Sequence, residues 1–133
     1  MSRGFVRVEA LILIFILLLA VLDVGLSFLS ARTAARDRIR LADVSQIQKA
    51  LNVYFQENGV YPAAAQNQPA GFDAYLESWP VAPAADGRCS QVQNTYAYAQ
   101  KSQGSDYSLT FCLGQGSGSI AAGAYTLTNQ GIK

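Results

Sequence analysis

An apolar run near the N-terminus constrains this chain more than any other part of it. Residues 8–31 read VEALILIFILLLAVLDVGLSFLSA, whereas the remainder is polar and rich in Gly, Ser and Gln, with scattered aromatic residues. At the helical rise of ~1.5 Å per residue, the run would be about 36 Å long. The hydrocarbon core of a bilayer is about 30 Å thick. The run therefore predicts a membrane-spanning helix.

A secretory signal peptide is the alternative for this run, because Arg3 precedes the apolar residues. The apolar part of a signal peptide is only about 7–15 residues long and is followed by a small-x-small cleavage motif. This run is longer, and no such motif follows Leu29 convincingly. We therefore favour a membrane anchor.

The helical pattern continues beyond the apolar run. Apolar residues recur there at three- and four-residue spacing among polar ones, at Leu41, Val44, Ile47, Leu51 and Tyr54. The dipeptide Asn-Gly at residues 58–59, with a proline three residues on, is a good helix stop. The pattern predicts one helix over residues 5–57, apolar all round in its first half and amphipathic in its second.

The remainder of the chain favours a small antiparallel sheet. Strands are predicted at residues 95–99, 107–113 and 124–128, and the sequence KSQGSD between the first two suits a hairpin loop. The segment GQGSGS separates the second strand from the third. Residues 62–88 hold all four prolines and only residues 72–76 look like a helical turn, so this stretch is predicted to be a surface connection.

One face of the second predicted strand is expected to pack on the helix. Its members alternate along the strand and are Tyr107, Leu109, Phe111 and Leu113. The predicted fold class is therefore α+β, with a long N-terminal helix, membrane-spanning in its first half, packed on a small antiparallel sheet head.

The composition limits the chemistry of the chain. Its 133 residues suffice for one modest domain, and its net charge of +1 does not indicate a nucleic-acid partner. It has no His, no evident acid pair and no Gly-rich phosphate loop. Most routes to acid–base, metal or nucleotide chemistry are therefore missing. We expect no enzyme activity, no cofactor and no metal site.

Cys89 and Cys112 both follow the apolar run. An even number of cysteines in a short exported head is typical of a disulfide formed in an oxidising compartment. Two buried free thiols are the alternative.

The N-terminus has a recognisable pattern. Gly4 and Phe5, followed by Glu9 and the apolar run, resemble the class III signal of type IV pilins and type II secretion pseudopilins. In that family a prepilin peptidase cuts after the Gly, the new N-terminal Phe is methylated, and the Glu helps assembly. The resemblance implies a leader at residues 1–4, a mature N-terminus at Phe5 and an assembly role for Glu9. A chance G-F-x-x-x-E before a membrane helix is the alternative.

The resemblance extends past the membrane helix. Asn58, Gly59, Tyr61 and Pro62 are similar to the pilin stretch where the long helix ends in an asparagine-glycine-x-tyrosine-proline turn. The segment YSLTFCLGQGSGSIAAGAYTLTNQGI also looks like the end of a small pilin head. The resemblance therefore implies a pilin-like fold, with the long helix at residues 5–57 and a head at residues 58–133.

Three residues depart from the family pattern. Arg7 stands where an apolar residue is usual, Asp23 falls inside the apolar run, and Leu26 replaces a frequent proline, although Gly25 and Ser27 would still let the helix loosen there. Arg7 and Asp23 are about 24 Å apart along one helix, so they cannot pair within a chain. We expect either a pair between neighbouring subunits, or an Arg7 that extends to the cytoplasmic headgroups while Asp23 is protonated or lies near the opposite interface.

The charges that flank the apolar run conflict with an exported head. Two Arg precede the run and four follow it, which by the positive-inside rule would place the head in the cytoplasm. The six are Arg3 and Arg7, then Arg32, Arg36, Arg38 and Arg40. We give more weight to the cysteines and the leader, and Asp37 and Asp43 partly offset the basic cluster. That cluster either meets neighbouring subunits or is a solvated helix face.

The resemblance implies a structural role. The subunit would be a single-pass precursor in the inner membrane with its head outside, and its partners would be the membrane, prepilin peptidase, other pilins and copies of itself in a cell-surface or periplasmic filament. Such filaments serve adhesion, motility or DNA uptake. A type II secretion pseudopilin and a monomeric membrane-anchored binding module are the alternatives. Pseudopilin heads bind calcium, whereas Asp73, Glu77, Asp86 and Asp106 are isolated here, which favours a pilin.

Overall fold

A computed structural model of the chain describes residues 3–133, with side chains from Val8 onwards. The first element is one continuous helix, α1, over Arg3–Asn58, which confirms the long helix predicted over residues 5–57. The helix ends where predicted. The Gly59 N–H donates to the Phe55 carbonyl at 2.8 Å and the Asn58 amide donates to the Tyr54 carbonyl at 2.9 Å, so two of the last carbonyls are satisfied.

The chain divides into two compact units, Met1–Arg32 and Thr33–Lys133. The first contains the apolar part of α1. The second contains the rest of α1 and every strand, and is called the head below. Its strands are β1 (Ala64–Ala65), β2 (Gln68–Pro69), β3 (Ala97–Lys101), β4 (Asp106–Ser117), β5 (Ile120–Thr128) and β6 (Gly131–Ile132).

The strands form two antiparallel sheets. β1 and β2 make a small hairpin, and the order of the larger sheet is β3-β4-β5-β6, with each strand paired to the next along the chain. The architecture is thus the predicted α+β combination of one long apolar N-terminal helix and a small antiparallel sheet. The β1–β2 hairpin and β6 were not predicted, because two-residue strands have no alternating pattern to detect.

Two predicted strand boundaries were wrong. The strand expected at residues 95–99 lies at Ala97–Lys101, and the segment GQGSGS does not separate β4 from β5 as expected. Its first four residues continue β4, and only Gly118 and Ser119 form the turn. The pairing register shifts between Leu113 and Gly116, which is a β-bulge with one extra residue on β4.

Gly116 makes this bulge possible. Its φ is +96°, and a Cβ at this position would lie 2.4 Å from the Ile120 carbonyl oxygen. Only glycine fits such a backbone without displacing the neighbouring strand.

The core of the head joins α1 to β4 as the sequence predicts. Val44, Ile47 and Leu51 are buried, and Leu41 and Tyr54 are partly buried against the same cluster. The strand residues that meet them are also buried; they are Tyr107, Leu109, Phe111 and Leu113. The amphipathic stripe of α1 and one face of β4 therefore form a single closed core.

The turn after α1 returns the chain to the sheet. Tyr61 is buried, its N–H donates to the Gly104 carbonyl at 2.7 Å, and its ring packs edge-on against Tyr107 with centroids 4.7 Å apart. The hydroxyl of Tyr98 donates to the Pro62 carbonyl at 2.6 Å. The segment Asn58–Pro62, noted for its resemblance, thus has a direct packing role.

The connection that follows is better ordered than a plain surface loop. The N–H groups of Tyr75 and Leu76 both donate to the Phe72 carbonyl, at 2.9 and 3.1 Å. Phe72 and Leu76 are buried in the core. The helical turn predicted over residues 72–76 is therefore present, and it anchors the connection.

Candidate functional site

The apolar part of α1 is the first candidate functional surface. Every residue from Val8 to Arg32 is exposed, and the large apolar side chains in this stretch are between 47% (Leu19) and 70% (Val24) exposed. By length and composition this helix is able to cross a membrane, and its position near the N-terminus is one where a signal sequence passes the same test. We call residues 8–31 the apolar segment.

The apolar segment contains a shallow groove. Gly25 has nothing within 4 Å of the position a Cβ would take, and around it lie Leu18, Val21, Leu22, Leu26 and Leu29. The helix is uninterrupted through this point. The hydroxyl of Ser27 donates to the Asp23 carbonyl at 2.8 Å, so it is satisfied within the helix.

The predicted assembly residues lie on α1. Glu9 and Asp23 are both exposed. Gly4, Phe5 and Arg7 belong to the helical backbone of α1, but their side chains lie outside the described residues, as do Met1 and Ser2 of the predicted leader entirely. Cleavage after Gly4 and the pairing of Arg7 with Asp23 therefore stay predictions.

A buried ion-pair network in the head is the second candidate, and sequence reasoning missed it. Asp37 and Arg40 are both fully buried on α1, and the Arg40 Nη1 donates to the Asp37 Oδ1 at 2.8 Å. The same Nη1 donates to the Asp86 Oδ1 at 2.9 Å. The Nη2 of Arg40 donates to the Ala84 carbonyl at 2.9 Å and to the Asn94 Oδ1 at 3.1 Å. Arg40 thus ties α1 to the segment between the two sheets.

Asp37 ties the same helix to the bulge of β4. Its carboxylate accepts hydrogen bonds from the backbone N–H groups of Gly114, Gln115 and Gly116, each at 2.8 Å. A Cβ at position 114 would lie 2.7 Å from the Asp86 Oδ1. The close approach of β4 to the network therefore requires a glycine at this position.

The protonation of Asp37 follows from these contacts. Burial alone raises the pKa of its carboxyl group. The three backbone N–H donors and the Arg40 guanidinium outweigh that effect, and the pKa is lowered below the usual 3.8. Asp37 is therefore a charged carboxylate whose burial is compensated by four hydrogen bonds.

The network corrects the interpretation of the basic cluster. Arg40 neither faces solvent nor is available to a neighbouring subunit, so both interpretations are wrong for this residue. Arg36 is partly buried and pairs with the Asp86 Oδ2 at 3.0 Å. Arg38 is exposed, so both interpretations remain for it. The guanidinium of Arg32 lies 4.5 Å from the centre of the Phe28 ring.

One signal in the sequence pointed to this network. Asp37 and Arg40 continue the three- and four-residue spacing of Val44, Ile47 and Leu51. They therefore lie on the buried face of α1 at a spacing suited to an ion pair. Charged residues at core positions of an amphipathic pattern are worth examining for this reason.

The disulfide between Cys89 and Cys112 is present, with the two Cα atoms 5.7 Å apart. The prediction of a disulfide is confirmed, and the alternative of free thiols is wrong. The bridge lies close to the network, because the Cys89 N–H donates to the Asp86 carbonyl and the Arg88 N–H donates to the Gly114 carbonyl, both at 2.9 Å. The segment that holds Asp86 is therefore fixed to β4 by the disulfide and a backbone hydrogen bond, and to α1 by the ion pairs of Asp86.

From residue 3 onwards, as far as the structure describes side chains, no group of three His, Cys, Asp or Glu residues is placed to hold a metal ion. The two candidate surfaces thus belong to an α+β protein with a helix whose apolar half is exposed and a head closed by a disulfide and an ion-pair network. Comparison with protein-family models, with curated proteins and with solved structures gave no match.

Proposed function

We propose that this chain is a structural subunit of a type IV pilus-like filament, assembled through α1. The observation that carries the proposal is the exposure of the whole apolar segment. A monomeric soluble protein rarely exposes a continuous apolar surface of more than a few hundred Å², whereas residues 8–29 expose one along about 33 Å of helix. Such a surface requires lipid, or other apolar helices, around it.

The head needs no such cover. Its core is closed, its buried charges Asp37 and Arg40 are paired, and a disulfide links β4 to the segment before β3. The apolar segment needs partners to cover it, whereas the head has a closed core of its own. These are the properties of a polymer subunit whose helices bundle together and whose heads stay in water. The leader resemblance at Gly4, Phe5 and Glu9 supports the same proposal.

Release of surface fibres tests this proposal directly. Shearing cells that express the chain should release it in filaments, and cryo-electron microscopy should show α1 helices in the filament centre. Intact-mass analysis of the released protein should show loss of residues 1–4. A chain that stays entirely with the membrane fraction as a monomer would instead be an anchored binding module, and short filaments found only on induction of secretion would indicate a pseudopilin.

Glu9 provides a sharper test with a matched control. A carboxylate in a lipid-embedded helix costs up to about 3.5 kcal/mol unless it finds a partner, and in the family that partner is the N-terminal amine of a neighbouring subunit. Glu9→Gln should leave processing intact and sharply lower the filament yield. Glu77→Gln, the same change at an exposed position of the head, should have no effect. Normal filament yield from Glu9→Gln would contradict this role.

A further inference from the structure

The head contains an uncharged cleft that the proposed function does not use. Its volume is about 260 Å³, and it lies between the β1–β2 hairpin and the segments around residues 79–82 and 94–96. Its lining includes Gln66, Asn67, Gln68, Trp79, Asn94 and Thr95. No residue that lines the cleft is Asp, Glu, Lys or Arg.

The turn of the hairpin fixes the backbone at two of the amide residues. Gln66 and Asn67 connect β1 to β2 with φ values of 51° and 63°, as in a two-residue type I′ turn. This conformation is uncommon for glutamine and is retained only where surrounding contacts impose it. One such contact is the hydrogen bond from the Tyr98 N–H to the Asn67 carbonyl, at 2.8 Å, which attaches the hairpin to the edge of β3.

The amides of the hairpin are available to a ligand. The side chains of Gln66, Asn67 and Gln68 are exposed, and within the described part of the chain they form no hydrogen bond. Each amide presents two N–H donors and one carbonyl acceptor. Asn94 differs, because its amide nitrogen already donates to the Pro83 carbonyl at 2.6 Å and its oxygen accepts from Arg40.

Trp79 provides a fixed apolar wall beside these amides. Its indole N–H donates to the Tyr96 carbonyl at 3.1 Å, and the residue is only partly buried. The ring is therefore held in one orientation while part of its surface stays open to the cleft. An aromatic ring of this kind contributes contact area without a charge.

We propose that this cleft binds one neutral sugar unit of a carbohydrate. A sugar presents hydroxyl groups that both donate and accept, which amide groups can match, and C–H faces that pack on an indole ring. The cleft has no Arg or Lys to hold a phosphate, carboxylate or sulfate, so acidic glycans and nucleic acids are poor ligands. The proposal does not depend on filament formation, and the two can fail separately.

The single tryptophan of the chain makes the cleft easy to monitor. Because Trp79 is the sole tryptophan, its fluorescence reports on this site alone. The full chain should be held in a detergent without a sugar headgroup and titrated with galactose, glucose, mannose, N-acetylglucosamine and N-acetylgalactosamine. At least one of these neutral sugars should change the fluorescence with a saturable curve, and its signals should appear in saturation-transfer difference NMR. Sialic acid, which carries a carboxylate, should do neither.

Two variants test whether the amides are responsible. Gln68→Ala removes one amide from the exposed edge, and Asn67→Gly removes another while keeping a residue that tolerates positive φ. Each should weaken sugar binding by about threefold to tenfold, the loss expected for one hydrogen bond. Gln130→Ala removes an exposed amide outside the cleft and should leave the affinity unchanged.

Several results would overturn the proposal. The first is the absence of any response to the five neutral sugars, and the second is a response to sialic acid alone. The third is sugar binding that Gln68→Ala and Asn67→Gly leave intact, since the ligand would then lie elsewhere. A saturable fluorescence response to uncharged extended peptides, without one to sugars, would assign the cleft to a different class of ligand.

Discussion

The two halves of α1 have the same backbone and opposite surroundings. From Val8 to Arg32 every residue is exposed, although most are apolar. From Thr33 to Asn58 exposed and buried positions alternate with helical spacing, and Ile47 and Leu51 are completely buried. Helical structure alone therefore does not decide burial. The second half finds its cover within the chain, whereas the first must obtain it from outside.

The charged residues of the two halves differ in exposure in the same way. Glu9 and Asp23 in the first half are exposed among apolar residues. Asp37 and Arg40 in the second half are completely buried, yet each makes several hydrogen bonds within the head. A buried charge is tolerable when its partners are fixed in place. The head supplies those partners by itself.

Removal of the Asp37 side chain should cause the largest loss of stability in the head. Asp37→Ala leaves three backbone N–H groups of the β4 bulge without their acceptor and removes one partner of Arg40, so the free energy of unfolding should fall by about 3–5 kcal/mol. Urea unfolding of the full chain in detergent, followed by Trp79 fluorescence, measures the loss. Asp73→Ala, at an exposed position, is the control. Equal stabilities of the two variants would show that the network contributes little.

A pair of leucines compares the two halves directly. Leu51 is completely buried and Leu17 is 69% exposed, and both lie on α1. Leu51→Ala should lower the free energy of unfolding of the head by about 2–5 kcal/mol, because it leaves a cavity in the core. Leu17→Ala should change it by no more than about 0.5 kcal/mol. The same unfolding measurement serves both. A similar loss from the two variants would refute the difference between the halves.

The disulfide should also contribute to the free energy of unfolding of the head. It closes a loop with a sequence separation of 23, and such a loop is worth roughly 3 kcal/mol through restriction of the unfolded chain. Unfolding with and without reductant should show this difference. The double variant Cys89→Ala with Cys112→Ala is the control and should not respond to reductant. Two titratable thiols in denatured exported protein would count against the bond.

Lowering the pH should produce the smallest change in the free energy of unfolding, and the one most specific to Asp37. The pKa of Asp37 is lowered below 3.8 in the folded state, so its contribution to stability is complete above 3.8 and is lost as the pH falls through the folded pKa. The free energy of unfolding should therefore decline as the pH falls below 3.8. Asp37→Asn should flatten this decline, and Asp73→Asn should preserve it. An unchanged slope in Asp37→Asn would assign the acid sensitivity to other carboxyl groups.

The sequence was sufficient for the parts of the fold that depend on local pattern. The stripe of α1, the helix stop at Asn58 and the inward face of β4 were all predicted because spacing and turn residues encode them. The hydrogen-bond partners of Asp37 were not, because they belong to a bulge 77 to 79 residues later in the chain. The two-residue strands β1, β2 and β6 were too short to predict.

The candidate sites divide in the same way. The apolar segment is one continuous stretch of sequence, so its composition was enough to predict it. The cleft at Trp79 is assembled from three separate stretches, and no motif links Gln68 to Asn94 along the chain. The hydrogen bond that attaches the β1–β2 hairpin to β3 and the one from the Trp79 indole to the Tyr96 carbonyl bring these residues together, and neither contact has a sequence signature.

The distance in sequence between Asp37 and its partners also has a consequence during translation. A ribosome adds ~5–20 residues per second. Gly116 is therefore synthesised about 4–16 s after Asp37 at that rate. Throughout this interval the nascent second half of α1 has neither the backbone N–H donors that bind the Asp37 carboxylate nor a strand over its apolar stripe. The emerging chain is most exposed to misassociation at this stage, before β4 has left the ribosome.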